Sequence, residues 1–169
     1  QWNLYGFERG HICPSADRTR TPDLNSETFL MTNMLPQAHD SNGIVWRDLE
    51  EYERQLVSRG NELYIFAGAL GSGGISSKGA FDSVIIPSRG TDGTIIRQED
   101  GSPVLSDMKI TIPAYNWKII VILPEGTDDL ARITEETQVI AVIVPNEQGC
   151  AAQGSWNQYV TTVDEVEAE

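Results

Sequence analysis

Histidine and cysteine are both scarce in this 169-residue chain, two of each. Cys13 and Cys150 cannot build a disulfide framework or a zinc-finger spacing. One bridge across the fold and two free thiols both stay open, because sequence does not give the separation of their α-carbons. No run of eighteen apolar residues occurs, since charge or proline breaks every long stretch, so a membrane-crossing helix is not expected. The chain opens at Gln1-Trp2 without the basic start and apolar core of a signal peptide, although a leader already removed fits equally well. Low-complexity blocks and internal repeats are absent on a residue-by-residue reading.

Positive charge is the other deficit. Twelve Lys and Arg stand against twenty-five Asp and Glu, a formal net charge of -13. Affinity for phosphate backbones normally comes from Lys and Arg, so this balance argues against a nucleic-acid partner. The distribution softens the objection. Up to Gly60 the balance is only -3, and from Asn61 onward it is -10.

What is present is an ordinary globular composition, 40% hydrophobic and 22% charged, in a chain long enough for one sizeable domain. Thr28 to Met34 reads as a largely buried strand stopped by Pro36. Val45, Leu49, Tyr52 and Leu56 then recur at helical spacing, with Gly60 as the C-terminal cap. Glu62 to Ala69 reads as a strand. Gly68 to Asp107 reads as hairpins and long loops, with turns at Asp92-Gly93 and Asp100-Gly101. Strands follow at Lys109–Ile112, Trp117–Leu123 and Val139–Val144, with a short helix between the last two. Tyr159–Val163 leads into a helix start capped by Asp164. Strands outweigh helices and are mostly joined without helical crossovers, which makes the class α+β.

The chemistry-bearing residues gather near the N-terminus. Phe7-Glu8-Arg9-Gly10-His11-Ile12 sets an imidazole beside a guanidinium. His11 is largely neutral near pH 7, which suits removal of a proton from water. Arg9 has the planar fork that grips phosphate. On a helix from about Asn42 to Ser58, Asn42 and Glu50 would lie roughly 80° apart. An amide oxygen and a carboxylate suit Mg²⁺, which prefers oxygen ligands and keeps several waters. Arg54 follows Glu50 at i+4, close enough for an ion pair or for a shared view of a ligand. Plainer roles compete throughout: a solvated helix pair for Glu50 and Arg54, a helix cap for Asn42, a structural imidazole for His11. His39 reads as exposed loop and is assigned no role. Gly68 to Gly74 lacks the Gly-Lys-Ser/Thr ending of a phosphate loop.

Taken together, these pieces resemble the DNA/RNA non-specific endonucleases, the ββα-metal family of sugar-non-specific nucleases that includes endonuclease G. Glu8-Arg9-Gly10-His11 is similar to the family's Asp-Arg-Gly-His signature. The likeness continues through Pro14 to Arg18, through Phe29 to Gln37, and through Asn42, Trp46, Leu49, Glu50 and Arg54. It implies a ββα-metal fold with a central, mainly antiparallel sheet, flanking helices and long loops. It also implies a Mg²⁺-dependent endonuclease (Mn²⁺ or another divalent cation being possible) that leaves 5′-phosphate and 3′-hydroxyl ends on DNA and RNA.

By position, His11 matches the general base, Asn42 the direct metal ligand, and Glu50 a carboxylate that reaches the metal through water. Arg9 and Arg54 match groups near the phosphate, with Arg18 and Arg47 as further substrate-binding candidates. Asn33 matches an asparagine that orients the histidine. Glu8 stands where the family has aspartate and is expected to brace the loop. The Gly68 to Asp107 region looks longer than in cyanobacterial relatives and could reshape the substrate groove. Residues 1–169 are expected to be a single domain lacking family segments at both ends, and to work in a secreted or periplasmic setting. Two other readings stay open, an inactive nucleic-acid-binding relative and an extracellular interaction module. An inhibitor protein or a homodimer is left open as well.

Overall fold

The computed structural model describes residues 2–152 and 154–168. Its first sheet is an antiparallel ribbon, β1 (Glu8–His11) against β2 (Met34–Gln37), with Arg9 opposite Pro36 and His11 opposite Met34. Between them lie a 3-10 turn at Ser15–Asp17, helix α1 (Pro22–Glu27) and a second 3-10 turn at Met31–Asn33. Helix α1 starts on Thr21, whose hydroxyl accepts from Leu24 N–H at 3.2 Å, with Pro22 in the first helical position.

The strand expected over Thr28–Met34 is therefore displaced. Phe29, Leu30 and Met31 are exposed, and the strand begins only at Met34 and runs through Pro36. Asn33 supplies the reason. Its amide donates to the carbonyls of Cys13 and Thr28, both at 2.8 Å, and its oxygen accepts from Cys13 N–H at 2.9 Å. It thus takes the backbone partners that a longer ladder would have used. Pro36 is tolerated because β2 pairs only with β1, so its other edge joins no ladder.

Beyond Ala38 the chain is helical. Ser41–Trp46 forms one wide π turn, in which Arg47 N–H reaches the Asn42 carbonyl five residues back, and α2 (Arg47–Ser58) continues it. Val45, Leu49 and Leu56 are buried with Tyr52 packed beside them, and Gly60 ends the segment at φ +87°.

Next come β3 (Asn61–Leu70), the small hairpin β4 (Gly74–Ser76) and β5 (Gly79–Phe81), and the pair β6 (Ser83–Pro87) and β7 (Leu105–Thr111). The chain continues through β8 (Tyr115–Pro124), α3 (Asp129–Arg132), β9 (Gln138–Pro145), β10 (Val160–Thr161) and α4 (Val163–Glu167). Four strands make one antiparallel sheet in the order β10-β9-β8-β3. The last helix is capped by Thr162, not Asp164. The Thr162 hydroxyl accepts from Glu165 N–H at 3.1 Å while the Glu165 carboxylate accepts from Thr162 N–H at 3.2 Å.

The main core forms where α2 crosses the sheet: Val45, Trp46, Leu49 and Leu56 pack on Ile120, Ile122, Val142 and Val144. A second cluster of Trp2, Phe7, Met34, Ala38, Val84 and Ile112 ties the ribbon to β6 and to the segment after β7. The ribbon and the start of the helix are thus anchored in two separate cores.

Between β6 and β7 the structure contains a repeat that the sequence reading missed. Arg89-Gly90-Thr91-Asp92-Gly93-Thr94 and Arg97-Gln98-Glu99-Asp100-Gly101-Ser102 fold into the same turn. In each, the Asp carboxylate accepts from the N–H and hydroxyl of the Thr or Ser two residues on. In each, Gly takes a φ near +80° (+81° and +82°) and its carbonyl accepts from the Arg Nη1, at 2.6 and 2.7 Å. Backbone bonds Ser88 to Val104, Ile96 to Ser88 and Val104 to Ile96 close the arm into a ring.

Candidate active site

The site is assembled on the ribbon and on the helix that follows it. Gly10 is required in β1 because the buried Gln37 side chain lies across it: a Cβ there would sit 1.5 Å from Gln37 Oε1. The ribbon hands over to the helix through Asn146, which is fully buried. Its oxygen accepts from Ala38 N–H at 2.7 Å, and its amide donates to the carbonyls of Pro36 and Pro113, both at 2.9 Å. Asn146 N–H donates to the Ala114 carbonyl at 2.8 Å, and its own carbonyl accepts from Ile75 N–H at 3.0 Å. Neither Gln37 nor Asn146 was singled out from the sequence. The only signal was an asparagine placed directly after the last core strand.

Glu8 reaches further than a loop brace. Its Oε2 accepts from Asn42 Nδ2 at 2.7 Å, and its Oε1 meets His39 Nδ1 at 2.8 Å. His39, assigned no role from the sequence, therefore belongs to the site. Gly43 lets it, because a Cβ there would come within 3.2 Å of the His39 ring. Burial alone would raise the Glu8 pKa, but the bonds from Asn42 and His39 and the His39 charge outweigh it and leave it lowered. Glu8 is therefore a carboxylate that fixes the Asn42 amide. With Nδ2 committed to Glu8, Asn42 Oδ1 accepts no hydrogen bond among the described residues.

His11 is half-buried, its ring edge-on to Phe29 at 5.0 Å between centroids and 87° between planes. Its Nε2 is shielded from solvent and without a partner among the described residues. Burial and then the charge of Arg9 push its pKa below the usual value, so the neutral imidazole is favoured. Asn33 holds the loop just beyond it, clamping Cys13 from both sides and accepting Ile12 N–H on its carbonyl at 3.0 Å.

Glu50 is half-buried on α2 and makes no hydrogen bond or ion pair among the described residues. Burial pushes its pKa up to about 7; Lys118 pulls it back, Glu53 and Asp17 add to the rise, and Arg54 opposes them. Of the roles left open for Arg54 at i+4 from Glu50, the ion pair does not form. Arg54 Nη1 instead meets Asp17 Oδ1 at 3.2 Å, which straps the Ser15–Asp17 turn onto the helix. The expected angle between Asn42 and Glu50 also changes. A π turn is wider than an α turn and advances less per residue, so the two lie closer in bearing than the roughly 80° of a regular helix.

Beneath Glu50, Lys118 and Glu53 are 0% and 2% exposed, with Nζ 2.9 Å from Oε1 and 4.4 Å from the Trp46 ring centroid. This is an ion contact more than a directed hydrogen bond, since neither Nζ nor either carboxylate oxygen completes one among the described residues. Burial raises the Glu53 pKa by more than Lys118 lowers it. Arg18 lines the adjoining cavity with Asp17, Glu53 and Arg54. Arg47 is exposed and spends its charge on Asp48 at 3.1 Å and Glu51 at 3.8 Å. Arg9 is exposed beside Trp2 and Met31. Cys13 and Cys150 are both free thiols, and burial pushes that of Cys150 up to about 11.

The residues present fit a hydrated divalent cation. Asn42 Oδ1 and the Glu50 carboxylate are oxygen donors, the kind a hard cation takes. Among the described residues no group of three His, Cys, Asp or Glu could cage an ion, so waters would supply most of its shell. The unpartnered, half-buried Glu50 is a group that such a charge would relieve.

An antiparallel ribbon followed by a helix, packed against an antiparallel sheet and carrying His, Asn and Glu in this order, is the ββα-metal nuclease fold. The chain belongs to the DNA/RNA non-specific endonuclease family, whose model matches residues 1–169. It is 42% identical to the nuclease of Nostoc sp. over 96% of this chain and 48% of that protein. It is 25% identical to human mitochondrial nuclease EXOG over 84% of this chain and 33% of that protein. The crystal structure of EndoG with EndoGI superposes with a TM-score of 0.64 at 21% identity, covering 99% of this chain and 58% of that one. The chain thus spans about half the length of the Nostoc nuclease and a third of the mitochondrial one.

Proposed function

We propose that this chain is a divalent-metal-dependent, sugar-non-specific endonuclease, with Mg²⁺ as the first choice of ion, hydrolysing DNA and RNA to 5′-phosphate and 3′-hydroxyl ends. The observation that carries the reading is the Glu8–Asn42 bond at 2.7 Å, which frees Asn42 Oδ1 at the start of the helix that also bears Glu50. Glutamate in place of aspartate still reaches both Asn42 and His39, so the substitution keeps the bracing contact.

Nucleases of this family generally use a divalent metal. Bound here, the ion would supply Lewis acidity at the phosphate and charge for the leaving oxygen. The residues do the rest. His11, half-buried and biased to the neutral form, accepts a proton from the attacking water. Arg9 and Arg54 present positive charge to the phosphate as negative charge builds on it. Asn33 keeps the His11 loop in place through backbone bonds. Because such a site grips phosphate and not base edges, low sequence preference follows. EndoGI accompanies EndoG in the structural neighbour, and an inhibitor protein is a partner to test here.

The test incubates the protein with supercoiled plasmid and with RNA, in Mg²⁺ and in EDTA, with His11→Ala in parallel. Nicking that needs metal and vanishes in a folded His11→Ala protein is the expected result. Equal cleavage by mutant and parent would overturn the assignment of the base. No cleavage by the parent in any divalent metal would overturn the activity itself.

A further inference from the structure

We propose that Arg89, on the repeat-containing arm, is a substrate-binding residue that holds a backbone phosphate of the nucleic acid flanking the cut, in a groove it shares with Arg9. This rests on the nuclease reading of the neighbouring site. The groove, of about 430 Å³, is lined by Trp2, Arg9, Met31, Ile85, Ile86, Arg89 and Ile110. In a chain of net charge -13 it carries two guanidiniums and no carboxylate. The four other principal cavities each carry at least one Asp or Glu. Neither Arg9 nor Arg89 has an ion-pair partner among the described residues, unlike Arg47 and Arg54 on the helix, although Arg18, Arg20, Arg59 and Arg97 are unpaired as well.

Position links the groove to the chemistry. Arg9 and His11 are two apart on β1 and so point to the same side of the ribbon. A strand whose scissile phosphate lies at His11 meets Arg9 and then the wall of Met31, Ile85 and Ile86. These apolar side chains offer no hydrogen-bonding edge, so a base or sugar can lie on them without sequence being read. At the far side the turn fixes Arg89: its Nη1 donates to the Gly93 carbonyl at 2.6 Å, which leaves its other N–H groups for a phosphate. The tether lowers the freedom that an exposed arginine loses on binding.

The repeat supplies an internal control. Arg97 has the same tether, to the Gly101 carbonyl at 2.7 Å, but does not line the groove. The experiment measures binding in EDTA, where no cut occurs, by fluorescence anisotropy of a labelled DNA duplex and of a labelled RNA across a salt series. Arg89→Ala should weaken binding and reduce the log–log salt slope by about one. Arg89→Glu should weaken it further, and Arg97→Ala and Arg97→Glu should stay near the parent. In Mg²⁺ the Arg89 loss should fall mainly on KM.

Arg97→Glu matching Arg89→Glu would reduce the effect to net charge and overturn the proposal. So would an unchanged affinity and slope in Arg89→Ala beside a cleaving parent, which leaves the nuclease reading intact. Arg89-dependent binding by a parent that cuts in no metal would sink the nuclease reading and keep the groove. A folded parent that binds neither polymer would sink both.

Discussion

The site and the sheet are held together by different forces. The sheet is a ladder of apolar strands: β8 pairs along its whole length with β3 and for most of it with β9, and Ile120, Ile122, Val142 and Val144 seal it against α2. Its stability is spread over many similar contacts. The site hangs on a few polar side chains that span long stretches of sequence. Glu8 reaches Asn42, Asp17 reaches Arg54, Asn33 reaches Cys13, and Asn146 reaches Pro36 and Ala38. Polar contacts of this kind fix geometry, but each fails abruptly when one partner is removed. The half that carries the candidate site is therefore expected to be brittle and the sheet tolerant.

The sharpest way to break that contrast is at the charged pair buried inside the core. Lys118→Met leaves Glu53 buried and unpaired, and should destabilise by about 3–5 kcal/mol. The double variant Lys118→Met with Glu53→Leu should recover most of that loss, because both charges are then gone. Urea melts of the parent and the two variants read this directly. A single mutant within about 1 kcal/mol of the parent would show that water already reaches the pair.

Asn146→Ala comes next. It leaves Ala38 N–H and the carbonyls of Pro36 and Pro113 without partners, and should cost about 2–4 kcal/mol. Because Ala38 precedes the helix that carries Asn42, cleavage should fall even at temperatures where the variant stays folded. A loss of stability with cleavage untouched would mean that the ribbon, and not this strut, positions Asn42.

How much of this was legible in the sequence follows the same division. The cores of three strands, read as Glu62 to Ala69, Trp117 to Leu123 and Val139 to Val144 and each extending one or two residues further at either end, and the helix stripe of Val45, Leu49 and Leu56, were visible because period and apolarity are local signals. The strand at Thr28 was misplaced because Asn33 takes its backbone partners, a choice that no local pattern reports. The pairing of Glu50 with Arg54 was reasonable on helical spacing and failed because Asp17, far away in sequence, is the better-placed acid. Arg9, His11, Asn42 and Glu50 were candidates because their order and spacing resemble the family signature. That His39 joins them, and that Glu8 holds Asn42, are contacts between side chains 31 and 34 residues apart and needed coordinates.

The pH profile sharpens the account of the site. In its proposed role His11 must be neutral to accept a proton, and burial with the Arg9 charge lowers its pKa from the usual 6.5. With the bound ion keeping Glu50 ionised, activity should therefore rise with pH through a midpoint below that value and level off above it. Arg9→Gln removes one of the two causes, so its midpoint should move upward whatever happens to the height of the profile. The readout is kcat/KM against pH. A midpoint that stays put would leave desolvation as the whole cause.

The smallest expected effect tests the sheet's side of the comparison. Ile120→Val removes one methylene from a fully buried position between β3 and β9 and should cost about 1 kcal/mol. It touches none of the long-range polar contacts, so cleavage per folded molecule should match the parent. Combined with Asn146→Ala, its loss should simply add, because the two residues lie in separate networks. If the pair instead coupled, or if Ile120→Val lowered cleavage by itself, the sheet would be part of the positioning machinery and not only its platform.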